Sequence, residues 1–360
     1  MGYFKHRFRQ RSRVLIGVDI SNAYVRVLEL DRVEDSYRVL AYASQAMPVG
    51  AINDFVIVDA KAVAEATRKA VERSGSRSRD AAIAVSGPAV FSKTILLPTG
   101  LDEAELEQQI YMDAEHHIPH PLDEVNLDFQ VLGQAADNPD FDRILLVACR
   151  RDDIEVRIAA LEMAGLRVGI VDVEEYALQN ASKLLSGRLI QIGTAESLAV
   201  FDIGNDNTRL TIERDGQSLY TRQFGFGGNE LIGGLVEQYE LADAHGLRVK
   251  LYAGDIKAED IASQIHRFAE RLAAQIDRVL SFYQSAADGG DEAIAHVVLV
   301  GTPIAFPGLS QALADYLPWP FTLGNPLDGM LASTTARRNH IDIDAPSLMV
   351  ATGLALRGVA

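Results

Sequence analysis

The chain has 360 residues, enough for two or three globular units, and its 48% hydrophobic and 23% charged residues exclude a largely disordered protein. A single cysteine, Cys149, excludes an intramolecular disulfide framework and any Cys-built zinc or iron–sulfur site, and points to a reducing compartment, by default the cytoplasm. The net charge is −16, and residues 1–13 carry five Lys/Arg and no acid, which leaves 29 basic against 50 acidic residues, or −21, for a body that would repel nucleic acid. The basic tail over 1–13 reads either as a solvated end or as a contact for anionic lipid or an acidic partner. No apolar h-region follows it, so it does not read as a signal peptide.

Residues 14–20 form a short apolar run, and 23–31 alternate as a paired second strand would. A third strand is predicted over 36–47 and a helix over 60–74. Residues 81–86 and 91–97 are β-rich, and a helix from Asp102 stops before Pro119. Strands near 125–132 and 144–149 bracket a turn-rich loop. A helix over 152–164, a strand over 167–172 and a helix over 174–185 close the first half. The second half opens on β-runs at 198–203, 208–214 and 217–224. Ile261, Ile265, Phe268, Leu272, Ile276, Val279 and Tyr283 then make one apolar stripe of a long helix, expected to pack on its own domain. The uncharged stretch 293–314 contains Gly301, Pro303, Pro307 and Gly308, so it reads as strand, turn and helix rather than a membrane span.

An internal repeat is the most informative feature. A shift of 183 residues (202 − 19) places Leu15, Asp19, Ile20, Asn22 and Arg26 on Leu198, Asp202, Ile203, Asn205 and Arg209. Both copies read as a buried strand, Asp-Ile-x-Asn, a polar turn and an alternating strand with an early Arg. Two similar α/β lobes follow, each opening with a hairpin. Each Asp ends a buried strand, where open α/β sheets place ligand chemistry. Facing turns can cradle phosphates while the carboxylates hold a hydrated divalent cation.

Residues 14–30 (VLIGVDISNAYVRVLEL), 197–213 (SLAVFDIGNDNTRLTIE), 298–309 (VLVGTPIAFPGL) and 351–358 (ATGLALRG) resemble successive nucleotide-site segments of the actin-like ATPase superfamily. Within it, 117–132 (HIPHPLDEVNLDFQVL) and 170–181 (IVDVEEYALQNA) are most similar to the PilM family of type IV pilus assembly proteins, relatives of FtsA.

The resemblance implies a two-lobed actin-like ATPase fold with an FtsA-like inserted subdomain in the first lobe. It places the first-lobe core at 14–80, 166–195 and 340–360, and the insert at 81–165. The second-lobe core falls at 196–226 and 295–339, with a helical subdomain at 227–294. It implies ATP and Mg²⁺ as ligands, with Asp19 and Asp202 holding the metal through water. Ser21, Asn22, Gly204, Asn205 and Asn207 form the phosphate turns, and Gly227 and Gly228 a close-approach turn. Glu174 either orients an attacking water or is a helix N-terminal acid in a favourable dipole position.

The sequence departs from the family pattern at Gly301-Thr302-Pro303, where only one glycine of the adenosine turn remains, and at Asp243, which lacks the accompanying Lys near the ribose. Weak binding and slow or absent hydrolysis are therefore expected.

As a partner the resemblance implies the N-terminal cytoplasmic segment of PilN, in a groove lined by Ile118, Pro119, Pro121 and Leu122. The inner-membrane pilus complex and its motor ATPases are wider contacts, with membrane association through partners. A small-molecule phosphotransferase and an FtsA-like division scaffold are the alternatives. The His116, His117 and His120 cluster is interrupted by Pro119 and reads as a solvated helix end.

Overall fold

In the computed structural model the described residues are 15–34, 36–135, 137–190, 197–214, 217–286 and 294–359. The basic tail over 1–13 lies outside them. The chain begins with an antiparallel meander, β1 (Ile16–Ile20), β2 (Tyr24–Val33) and β3 (Ser36–Ala46). A small hairpin follows, β4 (Ile52–Asn53) and β5 (Val56–Ile57), and then α1 (Ala60–Ser74), capped by Asp59 and ended by Gly75 in the left-handed region. Strand β6 (Asp80–Val85) returns parallel to β1.

The insert comprises β7 (Val90–Pro98), α2 (Glu103–His117), β8 (Val125–Ala135) and β9 (Asn138–Arg150). Its three strands order as β7-β9-β8. The Asp102 carboxylate accepts from the Ala104 and Glu105 N–H groups, and Glu105 reaches back to Asp102 N–H, a capping box that starts α2 one residue after the predicted point. Helix α2 covers one sheet face through Ile110 and Ala114, against Ile95, Leu97, Ile144 and Leu146 above and Ala148 below.

Helix α3 (Arg151–Met163), β10 (Arg167–Val173) and α4 (Glu174–Ile190) lead to the second lobe. That lobe repeats the opening meander as β11 (Ser197–Ile203), β12 (Thr208–Arg214) and β13 (Gln217–Phe224). Helices α5 (Asn229–Gln238), α6 (Ala244–Ala253) and α7 (Ala262–Ala286) precede β14 (Ile294–Gly301), which lies parallel to β11. The α7 stripe is buried in the second-lobe core, as its periodicity predicts. Helix α8 (Leu309–Ala314) and β15 (Phe321–Leu323) complete the sheet.

The two sheets repeat strand for strand: β3-β2-β1-β6-β10 in the first lobe corresponds to β13-β12-β11-β14-β15 in the second. Asp19 pairs with Arg26 across the first ladder and Asp202 with Arg209 across the second, so the 183-residue shift holds in register. The return to the first lobe comes earlier than the predicted residue 340. Strand β16 (Leu331–Ala332) pairs parallel to β3, and Leu327 and Ala336 bury against Leu28, Leu30 and Tyr42. Two residues of pairing carry no periodicity, which is why this boundary is missed. Short helices α9 (Thr334–Arg338) and α10 (Ile341–Asp344) then reach α11 (Met349–Leu356).

Helices α4 and α11 lie between the lobes. Leu178, Ala181 and Leu185 of α4 pack on Val200, Val298 and Val300 of the second sheet, whereas Ala177 and Leu354 pack on Leu15 and Ala82 of the first. Strands β1, β11 and β14 are covered on both faces, which accounts for their unbroken apolar runs. The helices approach so closely that a Cβ on Gly353 would lie 1.7 Å from the Ala177 carbonyl oxygen.

Candidate functional site

The turn after β1 is built by Ser21, whose N–H donates to the Tyr24 carbonyl at 2.9 Å and whose Oγ accepts from the Tyr24 N–H at 3.1 Å. The turn after β11 is closed by the Gly204 N–H donating to the Asn207 carbonyl at 2.9 Å. Gly227 supports this second turn from behind, where a Cβ would stand 2.3 Å from the Asn205 carbonyl oxygen. The Gly228 and Asn229 N–H groups donate to the Gly204 and Asn205 carbonyls, both at 2.8 Å. Gly301, with φ +111°, ends β14 against Ile203, where a Cβ would meet the carbonyl oxygen at 2.1 Å. The backbones at Gly227 and Gly301 thus meet the β11 hairpin where only glycine leaves room.

Both turns open on one cavity of about 290 Å³ between the lobes. Asp19, Ser21, Asn22, Glu174, Asp202, Gly204, Asn205, Asn207, Gly301 and Thr302 all line it, so the structure brings together most of the predicted nucleotide set. Gly227 and Gly228 stand behind the wall. Asp243 lies elsewhere, outside the cavity wall: its carboxylate accepts from the Gly246 N–H at 2.7 Å and caps α6. An Asp just before a helix satisfies a backbone donor there.

Burial is the main cause that pushes the Asp19 and Asp202 carboxyls up to about 6; Arg26 beside the one and Arg209 beside the other oppose it, and Glu174 adds to it. Arg26 Nη1 lies 3.5 Å from Asp19, and its Nη2 donates to Thr302 Oγ1 at 3.1 Å. Arg209 Nη1 donates to Glu174 at 2.8 Å. Two desolvated carboxylates beside two turns suit a hydrated divalent cation and phosphates, as the sequence pattern suggests. The nucleoside end is less suited, because Thr302 is engaged by Arg26 while Thr302, Pro303 and Ile304 are all buried.

Sequence reasoning misses Arg157, Phe55, Ser86 and Asp206, which also line the cavity. Arg157 lies on a helix without a motif, and Phe55 occupies a turn where its residue type gives no signal.

The proline segment of the insert departs from expectation. Ile118 is buried with Ala114, Val125 and Ala148, and the half-buried Leu122 packs on the same cluster. Pro119 and Pro121 are exposed. The segment therefore ends α2 and seals the insert's own core, so Ile118 is not displayed to a partner. No group of three His, Cys, Asp or Glu side chains among the described residues is placed to hold a metal, and His117 Nδ1 instead stands 3.1 Å from Lys93 Nζ. No helix among the described residues is long and apolar enough to cross a membrane.

Residues 17–359 match the family model described as type IV pilus assembly protein PilM. Among solved structures, the chain is similar to the PilM-PilN type IV pilus biogenesis complex, with a TM-score of 0.73 and 24% identity over 97% of this chain and 100% of that one. It is also similar to the ethanolamine utilization protein EutJ from Carboxydothermus hydrogenoformans, with a TM-score of 0.54 and 17% identity over 96% of this chain and 90% of that one. Both are likenesses of fold.

Proposed function

Because the chain belongs to the PilM family of type IV pilus assembly proteins and has the two-lobed actin-like ATPase fold, we propose that it is a scaffold of the inner-membrane pilus assembly complex. In this reading it binds ATP between its lobes and the N-terminal cytoplasmic segment of PilN on its insert. It works at the inner face of the cytoplasmic membrane, held there by its partners.

The observation that carries the nucleotide half is the convergence of the Asp19 and Asp202 hairpins on one cavity. The turns at 21–22 and 204–207 would receive phosphates, and Asp19 and Asp202 would hold a hydrated Mg²⁺, which neutralises phosphate charge when bound. Glu174 is ion-paired to Arg209, so it is not free to orient water unless that pair opens. Weak affinity and slow turnover follow from this pairing and from the buried nucleoside end.

The peptide half is supported by the sheet face of the insert that α2 leaves open. Strand alternation turns Ser92, Thr94, Leu96, Leu145 and Val147 away from α2. Ser92 Oγ meets Tyr176 Oη of α4 at 2.6 Å, so the start of α4 borders this face. Asp128 lies on the same face by strand alternation and gives it a negative charge that suits a basic segment.

Calorimetry with ATP·Mg²⁺ and, separately, with a synthetic PilN N-terminal peptide tests both halves. Saturation a hundredfold above the dissociation constant should stabilise the fold by about 2.7 kcal/mol, and Asp19→Ala or Asp202→Ala should remove most of that gain. Absence of heat with both ligands overturns the proposal.

A further inference from the structure

Three arginines line the cavity, and two of them are neutralised there: Arg26 by Asp19 and Arg209 by Glu174. The third, Arg157 of α3, is only 6% exposed, and among the described residues no carboxylate forms an ion pair with it. Its Nη2 donates to the Phe55 carbonyl at 2.8 Å, while its buried Nε has no partner. A desolvated guanidinium with no direct ion pair is costly, because the Asp153 and Glu174 charges act on it only from beyond bonding distance and Arg does not escape the cost by losing its proton.

The group that holds Arg157 is itself strained. Asp54 and Phe55 form the two-residue turn between β4 and β5, with φ of +45° and +70°. Two positive φ values mark the hairpin loop that favours Asn-Gly or Asp-Gly, so a bulky aromatic at the second position is strained there. The Phe55 ring fills the place of a side chain on Gly87, whose Cβ would lie 2.6 Å from it, and Gly87 carries φ +79°. The ring therefore fixes the turn, and the turn fixes the carbonyl that orients Arg157. Strain of this kind persists where the surroundings over-determine it, as at ligand clamps.

We infer that Arg157, oriented by the Phe55 turn and flanked by Ser86, is an anion subsite of the cleft that takes the terminal phosphoryl group of a polyphosphate ligand. This rests on the nucleotide reading for the rest of the ligand, whose inner phosphates lie on the two hairpin turns. The guanidinium has five donors, and because Nε–H is buried, the Nη donors not serving Phe55 supply the charge-assisted bonds that a terminal phosphate accepts.

The test measures affinity for ADP, a non-hydrolysable ATP analogue and inorganic tripolyphosphate, each with Mg²⁺, by calorimetry on the full chain. Arg157→Gln should weaken the ATP analogue and tripolyphosphate at least tenfold and change ADP less than twofold. Arg157→Lys should recover part of the loss, and it reads the same split if Arg157→Gln fails to fold. Equal weakening of ADP and the ATP analogue, or no weakening, overturns the subsite while leaving the nucleotide reading standing. If the wild type binds tripolyphosphate but neither nucleotide, the nucleotide reading fails and loss of tripolyphosphate in Arg157→Gln upholds the subsite. If it binds none of the three, both fail.

Discussion

Asn22 Nδ2 donates to Asp206 Oδ2 at 2.8 Å, joining the turn after β1 to the turn after β11 across 184 residues of sequence. The other oxygen of the same carboxylate accepts from Asn229 Nδ2, also at 2.8 Å. One exposed side chain therefore closes the two hairpins on each other at the cavity mouth, with a negative charge where phosphates would enter. An exposed bond of this kind contributes at most about 1 kcal/mol. Asp206→Ala removes both bonds and should accordingly lower stability by no more than about 2 kcal/mol, yet raise affinity for ATP·Mg²⁺ severalfold, and more so at low salt. Paired denaturation and calorimetry at two ionic strengths check this, and a fall in affinity would show that Asp206 helps to hold the ligand.

Asp19 and Asp202 make the apo fold pH-dependent in a defined direction. Their folded pKa of about 6 exceeds the ordinary carboxylate value of 3.8, so between those limits the native state binds more protons than the unfolded chain. Their contribution is fully present below about pH 4 and is lost as the pH rises through about 6. Relative to wild type, Asp202→Asn should gain stability between pH 5 and 7.5, by on the order of 1 kcal/mol. Cation binding requires the ionised forms, so ATP·Mg²⁺ should release protons on binding near pH 6. Calorimetry in buffers of different ionisation enthalpy measures that release, and its absence would place the cation elsewhere.

A buried triad ties the helical part of the second lobe to the first-lobe sheet. Arg248 of α6 donates to Asp344, and Tyr42 Oη of β3 donates to the same carboxylate at 2.6 Å, with all three side chains buried. Burial and the Asp344 charge hold the Tyr42 hydroxyl well above its ordinary range, so it stays a donor. Asp344→Ala leaves a buried guanidinium without its counter-charge, and urea denaturation should register a loss of about 3–5 kcal/mol. Asp344→Asn keeps an acceptor and should lose less. A loss under about 1 kcal/mol in the alanine variant would mean that water or another carboxylate replaces the partner.

The duplicated hairpins were legible because Asp19 and Asp202 repeat a whole strand–turn–strand pattern, and local pattern is what a sequence displays. Helix α2 was legible to within a residue through Asp102 and Pro119, whose effects are local. Asp243 shows the limit of such reasoning, since the same Asp before a helix serves equally as a cap or as a ligand, and tertiary placement decides between them. Ile118 shows another: an apolar residue between a helix and a proline reads alike whether it is displayed or buried. Arg157, Phe55 and Asp206 act through partners 102 and 184 residues away, a distance at which no periodicity points.

The insert should bind the PilN segment through its open sheet face and not through its proline turn. Leu96 is exposed, Leu145 and Val147 are half-buried, and Tyr176 stands across from Ser92, whereas Ile118 is sealed in the core on the far side of the sheet. A charge placed among Leu96, Leu145 and Val147 would be desolvated by an apolar side chain of the peptide, and hot-spot losses of 2 kcal/mol or more are typical for such a centre. Leu96→Glu and Tyr176→Ala should each weaken a synthetic PilN N-terminal peptide at least tenfold while leaving the melting temperature nearly unchanged. Pro119→Ala and Pro121→Ala remove exposed rings from the opposite side and should change affinity less than threefold. Asp128 on this face adds a second signature, a slower association as salt rises, because rim charge acts chiefly on encounter. Calorimetry and stopped-flow binding measure both. The reverse ranking, with the proline variants impaired and Leu96→Glu intact, would return the groove to the proline turn.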